Sequence, residues 1–254
     1  MEVLALQSGS NGNCIYVETQ GVRLLFDAGI SGIQAQQRLA RKGYDIASVD
    51  AVLISHDHSD HTRCLGVYQR KFHLPIYTTE ATLAAARSLK LGRLGPVEHF
   101  RAGDVLEFGP VRVETLPTPH DGADGVAFVV DDGQHRLGVL TDLGHVFADL
   151  ATTISTLDAV LLESNYDPQM LAQGPYPPHL KQRIHGPGGH LSNREAAELL
   201  CRGAEARLRW ACLGHLSEEN NCPDLALRTH RQILGDQLPL HVASRYAESD
   251  VFRL

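Results

Sequence analysis

Apolar positions along this chain follow two periods, and the change from one to the other occurs twice. Near the start, EVLAL, CIYVET and VRLLFDAG read as short strands, separated by the Gly/Ser/Asn cluster QSGSNGN and a turn at Gln20-Gly21. In SGIQAQQRLARKG the apolar Ile33, Leu39 and Ala40 fall on a helical period that stops at Gly43. A buried strand, VDAVLISH, and a helix through ATLAAARSLKLG complete the first run. The second begins with short strands in HFRAGDVLEFGPVRVETLPTPH and a hairpin in GVAFVVDDGQHRLGVLTD, where Asp132-Gly133 predicts a type I′ turn. The apolar strand LDAVLLES leads into a stretch rich in Pro and Gly, residues 166–189, which reads as a long exposed loop of functional character. The helix SNREAAELLCRGA, the strand LRWACLGHL, the helix CPDLALRTHRQILG and the segment LHVASRYAESD close the chain. Strands followed by helices, twice over, predict two α/β halves with their sheets face to face and their helices outside.

Composition narrows this picture only modestly. With 254 residues, 43% hydrophobic and 21% charged, the chain is an ordinary globular protein: one large domain, or two halves sharing a core. Its net charge of −7 excludes a basic protein that coats nucleic acid, but not an enzyme whose bound cations supply local positive charge. The five cysteines form no CxxC pair and predict reduced, mostly buried thiols, with Cys64 a core residue. No basic region followed by an apolar run opens the chain, and no apolar stretch approaches 18 residues, so a cytoplasmic protein without a membrane helix is expected.

The chemistry lies in the 14 histidines. At the end of a buried strand, ISHDHSDHTRC places His56, His58, Asp60 and His61 in the pattern HxHxDH. Imidazoles and carboxylates packed this closely would be left unsatisfied without a partner. A divalent metal supplies one, taking neutral nitrogen and carboxylate oxygen at about 2.0–2.2 Å. Four such residues are too many for one open catalytic ion and suit half of a two-metal site. Other strand ends offer His120 in LPTPHDG, Asp142 in GVLTDLGH and His215 in WACLGHLS.

In that order, these residues resemble the metallo-β-lactamase superfamily, and the likeness covers essentially residues 1–254 as one domain of two α/β halves, a four-layer αβ/βα sandwich. The resemblance implies His56, His58 and His120 as ligands of one metal, Asp60, His61 and His215 as ligands of a second, and Asp142 as a bridge. It also implies Asp27 as a residue orienting a ligand histidine. The lactamases themselves usually carry Cys where Asp142 stands and lack an acid at Asp60. The oxygen-richer set here suits Zn or Mn.

The tetrapeptide Gly-His-Leu-Ser occurs twice, around His190 and around His215. GGHLSNREAAELL resembles the His-Ser/Thr motif of the ribonuclease Z branch, which implies a proton-donating His190 beside the metals and a phosphate near a helix end capped by Ser192 or Asn193. Otherwise LSN is only a helix cap. SGSNGNC, LLESNYDPQML and GHLSEENN are together similar to the YycJ/WalJ-like group, some of which resemble DNA exonucleases. The four backbone amides of Ser10, Asn11, Gly12 and Asn13 could form an anion nest or a plain turn. Lys181, Arg183 and His185 could meet a nucleic-acid backbone or only solvent. HVASRY, with His241, Ser244 and Arg245, is a further candidate for substrate contact. The reading is a phosphodiesterase with two divalent ions, with Asp60 and His190 catalytic. Its substrate is nucleic acid, DNA more than RNA, with a 5′ to 3′ exonuclease as one form. The alternatives are a small-molecule esterase of the same fold, a glyoxalase-type thioesterase or a cyclic phosphodiesterase, and a metal-stabilised binding protein without turnover.

Overall fold

The computed structural model describes residues 1–203, 207–236 and 238–254. Among the described residues, seven strands form each of two sheets. In the first, β1 (Glu2–Gln7), β2 (Cys14–Thr19) and β3 (Val22–Phe26) run antiparallel, and β4 (Ala51–Leu53), β5 (Ile76–Thr78) and β6 (Glu98–His99) extend the sheet in parallel from β3. The second sheet repeats this order: β7 (Val105–Phe108), β8 (Val111–Pro117), β9 (Val126–Asp131) and β10 (Arg136–Leu140) are antiparallel. Parallel strands β11 (Ala159–Glu163), β12 (Trp210–Gly214) and β13 (Leu240–Val242) then follow. The last strand, β14 (Phe252–Arg253), returns to the edge of β1.

Strand alternation sorts the apolar residues into layers. Ile15 and Val17 of β2 face Phe128 and Val130 of β9 in the core between the sheets, where the Phe26 and Phe128 rings lie 5.0 Å apart. Tyr16 points the other way, into a layer with Ala35 and Leu39 of α1 (Gly32–Arg41) and Leu65 and Tyr68 of α3 (Leu65–Phe72). The short α2 (Ser59–Thr62) lies just before α3, and α4 (Glu80–Ala86) follows β5. On the second sheet, Val160 and Leu162 of β11 pack outward against α5 (Ala148–Ser155) and α8 (Asn193–Gly203). This is the expected four-layer αβ/βα arrangement. No helix among the described residues is long and apolar enough to cross a membrane.

Three local expectations are corrected. The inward face of α1 carries Ala35, Arg38 and Leu39, whereas Ile33 is 60% exposed and Ala40 points to solvent. A helical stripe of apolar residues misleads here because Arg38 takes a core position. Its guanidinium donates to the Leu6 carbonyl at 2.8 Å and the Gln7 side chain at 2.6 Å. The hairpin between β9 and β10 has a four-residue connection, not a type I′ turn, and of its residues only Gly133 has a positive φ. Asp132 sets that shape by accepting from the amides of Gln134 and His135. Finally, residues 166–189 are not a continuous loop. They carry α6 (Pro168–Gln173) and α7 (Pro178–His185), each opened by a leading proline. A last helix, α9 (Pro223–Leu234), packs beside α8. The predicted end of the α8 helix at Ala204 lies outside the described residues.

The layer assignment has a direct test in urea unfolding. Phe128→Ala should cost about 3–5 kcal/mol, whereas Ile33→Ala should stay within about 0.5 kcal/mol. Equal losses would contradict the assigned faces.

Candidate metal centre

The site is assembled from C-terminal strand ends of both sheets. Asp27 follows β3, His56 lies just beyond β4, His120 beyond β8, Asp142 beyond β10 and His215 directly after β12. Asp27, Asp142 and His215 all adopt left-handed backbone conformations, with φ of 67°, 56° and 55°. Such a bend turns each side chain from its sheet face toward the seam and costs roughly 1–3 kcal/mol at a non-glycine residue. Asp60 and His61 ride on α2, whose backbone is stitched to the first sheet. Asn13 N donates to Asp60 O at 2.8 Å and Ala28 N to His61 O at 2.7 Å. The approach is so close that a Cβ on Gly29 would stand 1.6 Å from the Asp60 carbonyl oxygen.

The structure brings together all seven residues read as ligands. In each of the groups His56/His58/His120, His56/His61/Asp142 and Asp60/His61/His215, one candidate ligand atom per residue lies within 4.8 Å of the others. Hydrogen bonds aim several of these atoms. Asp27 accepts from His61 Nδ1 at 2.7 Å and from the Ser55 amide at 2.8 Å, which turns His61 Nε2 toward Asp60 and Asp142. His120 Nδ1 donates to the Gly189 carbonyl at 2.7 Å, so its Nε2 lone pair faces the cluster. His56 Nε2 and Asp142 Oδ2 are buried without a hydrogen-bond partner. Unpartnered atoms of this kind cost about 1–3 kcal/mol each. A divalent cation would satisfy both, and the mixed nitrogen and oxygen donors suit ions of the Zn or Mn type.

Electrostatics divides the histidines. Burial, followed by repulsion from His61, His120 and His58, holds His56 well below its usual range and keeps it a neutral donor. Burial would also lower His215. The Asp142 carboxylate and the hydrogen bond to Asp60 outweigh it and raise His215 to about 10. Burial works against Asp60 and Asp142 as carboxylates, yet the surrounding imidazoles hold both below the ordinary carboxylate range.

One member of the cluster was not foreseen. Glu163 ends the fully buried β11, and its Oε1 accepts from His190 Nδ1 at 2.6 Å while lying 3.5 Å from His215 Nδ1. Its Oε2 is held by the amides of Leu143 and Leu191. The available signal was a carboxylate closing an apolar strand, the same pattern that had singled out Asp142. Asp121 was also overlooked. It stands 3.3 Å from His58 Nε2 and is gripped by Arg183 at 2.6 Å.

The expected substrate contacts fare differently. In the Ser10 to Asn13 loop the amides of Gly12 and Asn13 are spent on Gly9 O and Asp60 O, so no four-amide nest forms. Asn13 instead reaches the cluster through its side chain, 3.0 Å from His61 Nε2, while Asn11 donates to Arg245 O. Lys181 donates to Ala172 O and His185 meets the Tyr166 hydroxyl. Ser192 does cap α8, but in a closed capping box: its amide and hydroxyl both donate to Glu195. The helix end therefore holds its own carboxylate, not a phosphate. His241 stacks on Phe252 at 4.6 Å, whereas Ser244 and Arg245 lie beside the Gly9 loop.

A histidine–carboxylate cradle at the seam of an αβ/βα sandwich defines a metal-dependent hydrolase. The chain belongs to the β-lactamase superfamily, with residues 22–210 matching its superfamily domain. The exodeoxyribonuclease YycJ of Bacillus anthracis is 35% identical over 235 residues, spanning 91% of this chain and 88% of the relative. The exodeoxyribonuclease WalJ of Streptococcus pneumoniae is 38% identical over 229 residues, spanning 88% and 84%. Among solved structures, the metallo-β-lactamase fold protein YhfI of Bacillus subtilis superposes with a TM-score of 0.75 at 18% identity, over 98% of each chain.

Two outcomes follow from this geometry. Metal ligation needs neutral imidazole, and metal-free His215 keeps its proton to about 10. In the metal-free protein that proton adds stability below about pH 6.5, and the contribution is lost as pH rises through about 10. At pH 7.5, binding of Zn or Mn should therefore release protons and tighten as pH rises. Calorimetry in buffers of different ionisation enthalpy reads the release, and identical heats would contradict it. Asp27→Asn should weaken metal affinity by about 10- to 100-fold, measured by chelator competition.

Proposed function

We propose that this protein is a two-metal phosphodiesterase acting on nucleic acid in the cytoplasm, and specifically a DNA exonuclease. The observation that carries the reading is the His190–Glu163 pair beside the candidate metal cluster. The His190 ring lies 4.8 Å from that of His120 and 5.2 Å from that of His215, with 16% of its side chain still accessible. When bound, divalent cations in the cradle would polarise a phosphodiester and lower the pKa of an attacking water.

The remaining work falls to side chains. Glu163 accepts from Nδ1, fixing the His190 ring and leaving Nε2 outside that bond. A proton on Nε2 can pass to the departing ribose or deoxyribose oxygen, and Glu163 stabilises the imidazolium before transfer. Asp60 and Asp142, held as carboxylates, orient the groups at the seam, and Asp60 accepts the one proton that an attacking water loses. An alkoxide leaving group needs this help, whereas a thiolate leaves unaided. Support for DNA as the substrate comes from the exodeoxyribonuclease names of relatives that match nearly the whole chain. Support for the cytoplasm comes from five unpaired cysteines, of which only Cys14 and Cys212 are buried, fewer than expected, while Cys201 and Cys222 are exposed.

His190→Ala should lower kcat on end-labelled DNA by roughly 100-fold or more while sparing a thioester substrate. Parallel assays on single- and double-stranded DNA and on RNA identify the polymer. If metal-loaded wild-type protein cleaves none of them, the proposal falls.

A further inference from the structure

Beside the metal cluster, a cavity of about 290 Å³ is lined by Leu216, Pro223, Val242, Arg245 and Tyr246. It abuts the site directly, since Leu216 follows His215 and Ser8 both accepts from the His215 amide and donates its own amide to Ser244 O. Tyr246 stands at the mouth with 64% of its surface exposed, yet its backbone is anchored. Its carbonyl accepts from buried Arg38 at 2.7 Å and its amide donates to Ser244 Oγ at 3.0 Å. The guanidinium of Arg245 lies 5.8 Å from the Tyr246 ring centre, and its Nε is buried without a hydrogen-bond partner.

We propose that this cavity is a nucleobase-binding subsite, with Tyr246 as its stacking platform and the ion-paired Arg245 as one wall. The inference rests on the phosphodiesterase reading and names the part of the substrate that the second site takes. A base fits better than a phosphate because Arg245 is already neutralised by Glu218 at 3.0 Å, so the cavity offers no free cation for an anion. Its size, near the lower bound of about 300 Å³ for small-molecule pockets, suits one planar ring system. The polar groups of the floor are satisfied internally: Asn221 Nδ2 donates to Ser164 O and Asn165 O, and Ser217 Oγ accepts from Asn220. Such a floor recognises a π-face instead of a base edge, which predicts tolerance of sequence.

The test compares two substrates of the metal-loaded protein, a single-stranded oligodeoxynucleotide and methyl p-nitrophenyl phosphate, which has no base. Tyr246→Ala should lower kcat/KM for the oligonucleotide about tenfold relative to the small ester, mainly through KM, and Tyr246→Phe should restore it. An unchanged ratio in Tyr246→Ala overturns the subsite while leaving the phosphodiesterase reading intact. If wild type cleaves neither substrate, the phosphodiesterase reading fails. The subsite is then decided by fluorescence of a phosphorothioate oligonucleotide containing 2-aminopurine. Quenching by wild type and by Tyr246→Phe but not by Tyr246→Ala supports it, and equal quenching by all three overturns it.

Discussion

Asp27 ties the ends of β3 and β4 together, and the geometry of the seam depends on that tie. Its backbone amide donates to Leu53 O at 2.9 Å, and its carboxylate receives the Ser55 amide, the Ser55 hydroxyl and His61 Nδ1. One residue in a left-handed conformation thus fixes where the HxHxDH turn leaves the sheet and which nitrogen His61 presents. Ser55 passes the constraint on, because its hydroxyl also lies 3.0 Å from His56 Nδ1. The strain at Asp27, Asp142 and His215 persists because the dense core between the sheets holds the flanking strands in place. Packing stabilises an arrangement of the strand ends that local preference alone would not choose.

On the proposed reading, the same seam explains how an acidic protein would act on a polyanion. Asp27, Asp60, Asp142 and Glu163 are gathered at or beside the cradle. The α8 helix end is occupied by Glu195, and Arg183 and Arg245 are paired with Asp121 and Glu218. Positive charge for a phosphate must then come chiefly from bound cations and from His190, so affinity and chemistry are concentrated at one place. Stacking on an exposed aromatic surface complements that arrangement, since it adds affinity without requiring more charge.

Much of this architecture was legible because the chemistry sits at strand ends. A run of buried apolar residues followed by His or Asp marks both the strand and the direction in which its end points, as in ISHDHSDH, GVLTD and WACLGH. The double succession of strands and helices likewise foretold two sheets with helices outside. What escaped was set by tertiary contacts. Arg38 occupies a core position because Leu6 O and Tyr246 O, far away in sequence, satisfy its guanidinium. The prolines at 168 and 178 start helices, and from the second of these Arg183 reaches Asp121. Asp132 overrode the Gly133 turn signal by capturing two amides with its own side chain. Glu163 closes an apolar strand as Asp142 does, but its role depends on His190 and His215, which only the fold places beside it.

Glu163 also gives meaning to the doubled Gly-His-Leu-Ser. The two copies lie in different settings, one three residues before α8 and one directly at the end of β12, so no repeated fold unit explains them. Both histidines nevertheless present Nδ1 to the same carboxylate oxygen, at 2.6 Å for His190 and 3.5 Å for His215. His215 divides its contacts between Glu163, Asp142 and Asp60, whereas His190 gives its closest to Glu163 and keeps part of its surface open. A histidine enclosed by three carboxylates is suited to hold a cation. One that bonds Glu163 at 2.6 Å, lies 3.5 Å from Asp142 and keeps 16% of its side chain accessible is suited to move a proton. The difference between these two environments, not the shared tetrapeptide, separates the two roles.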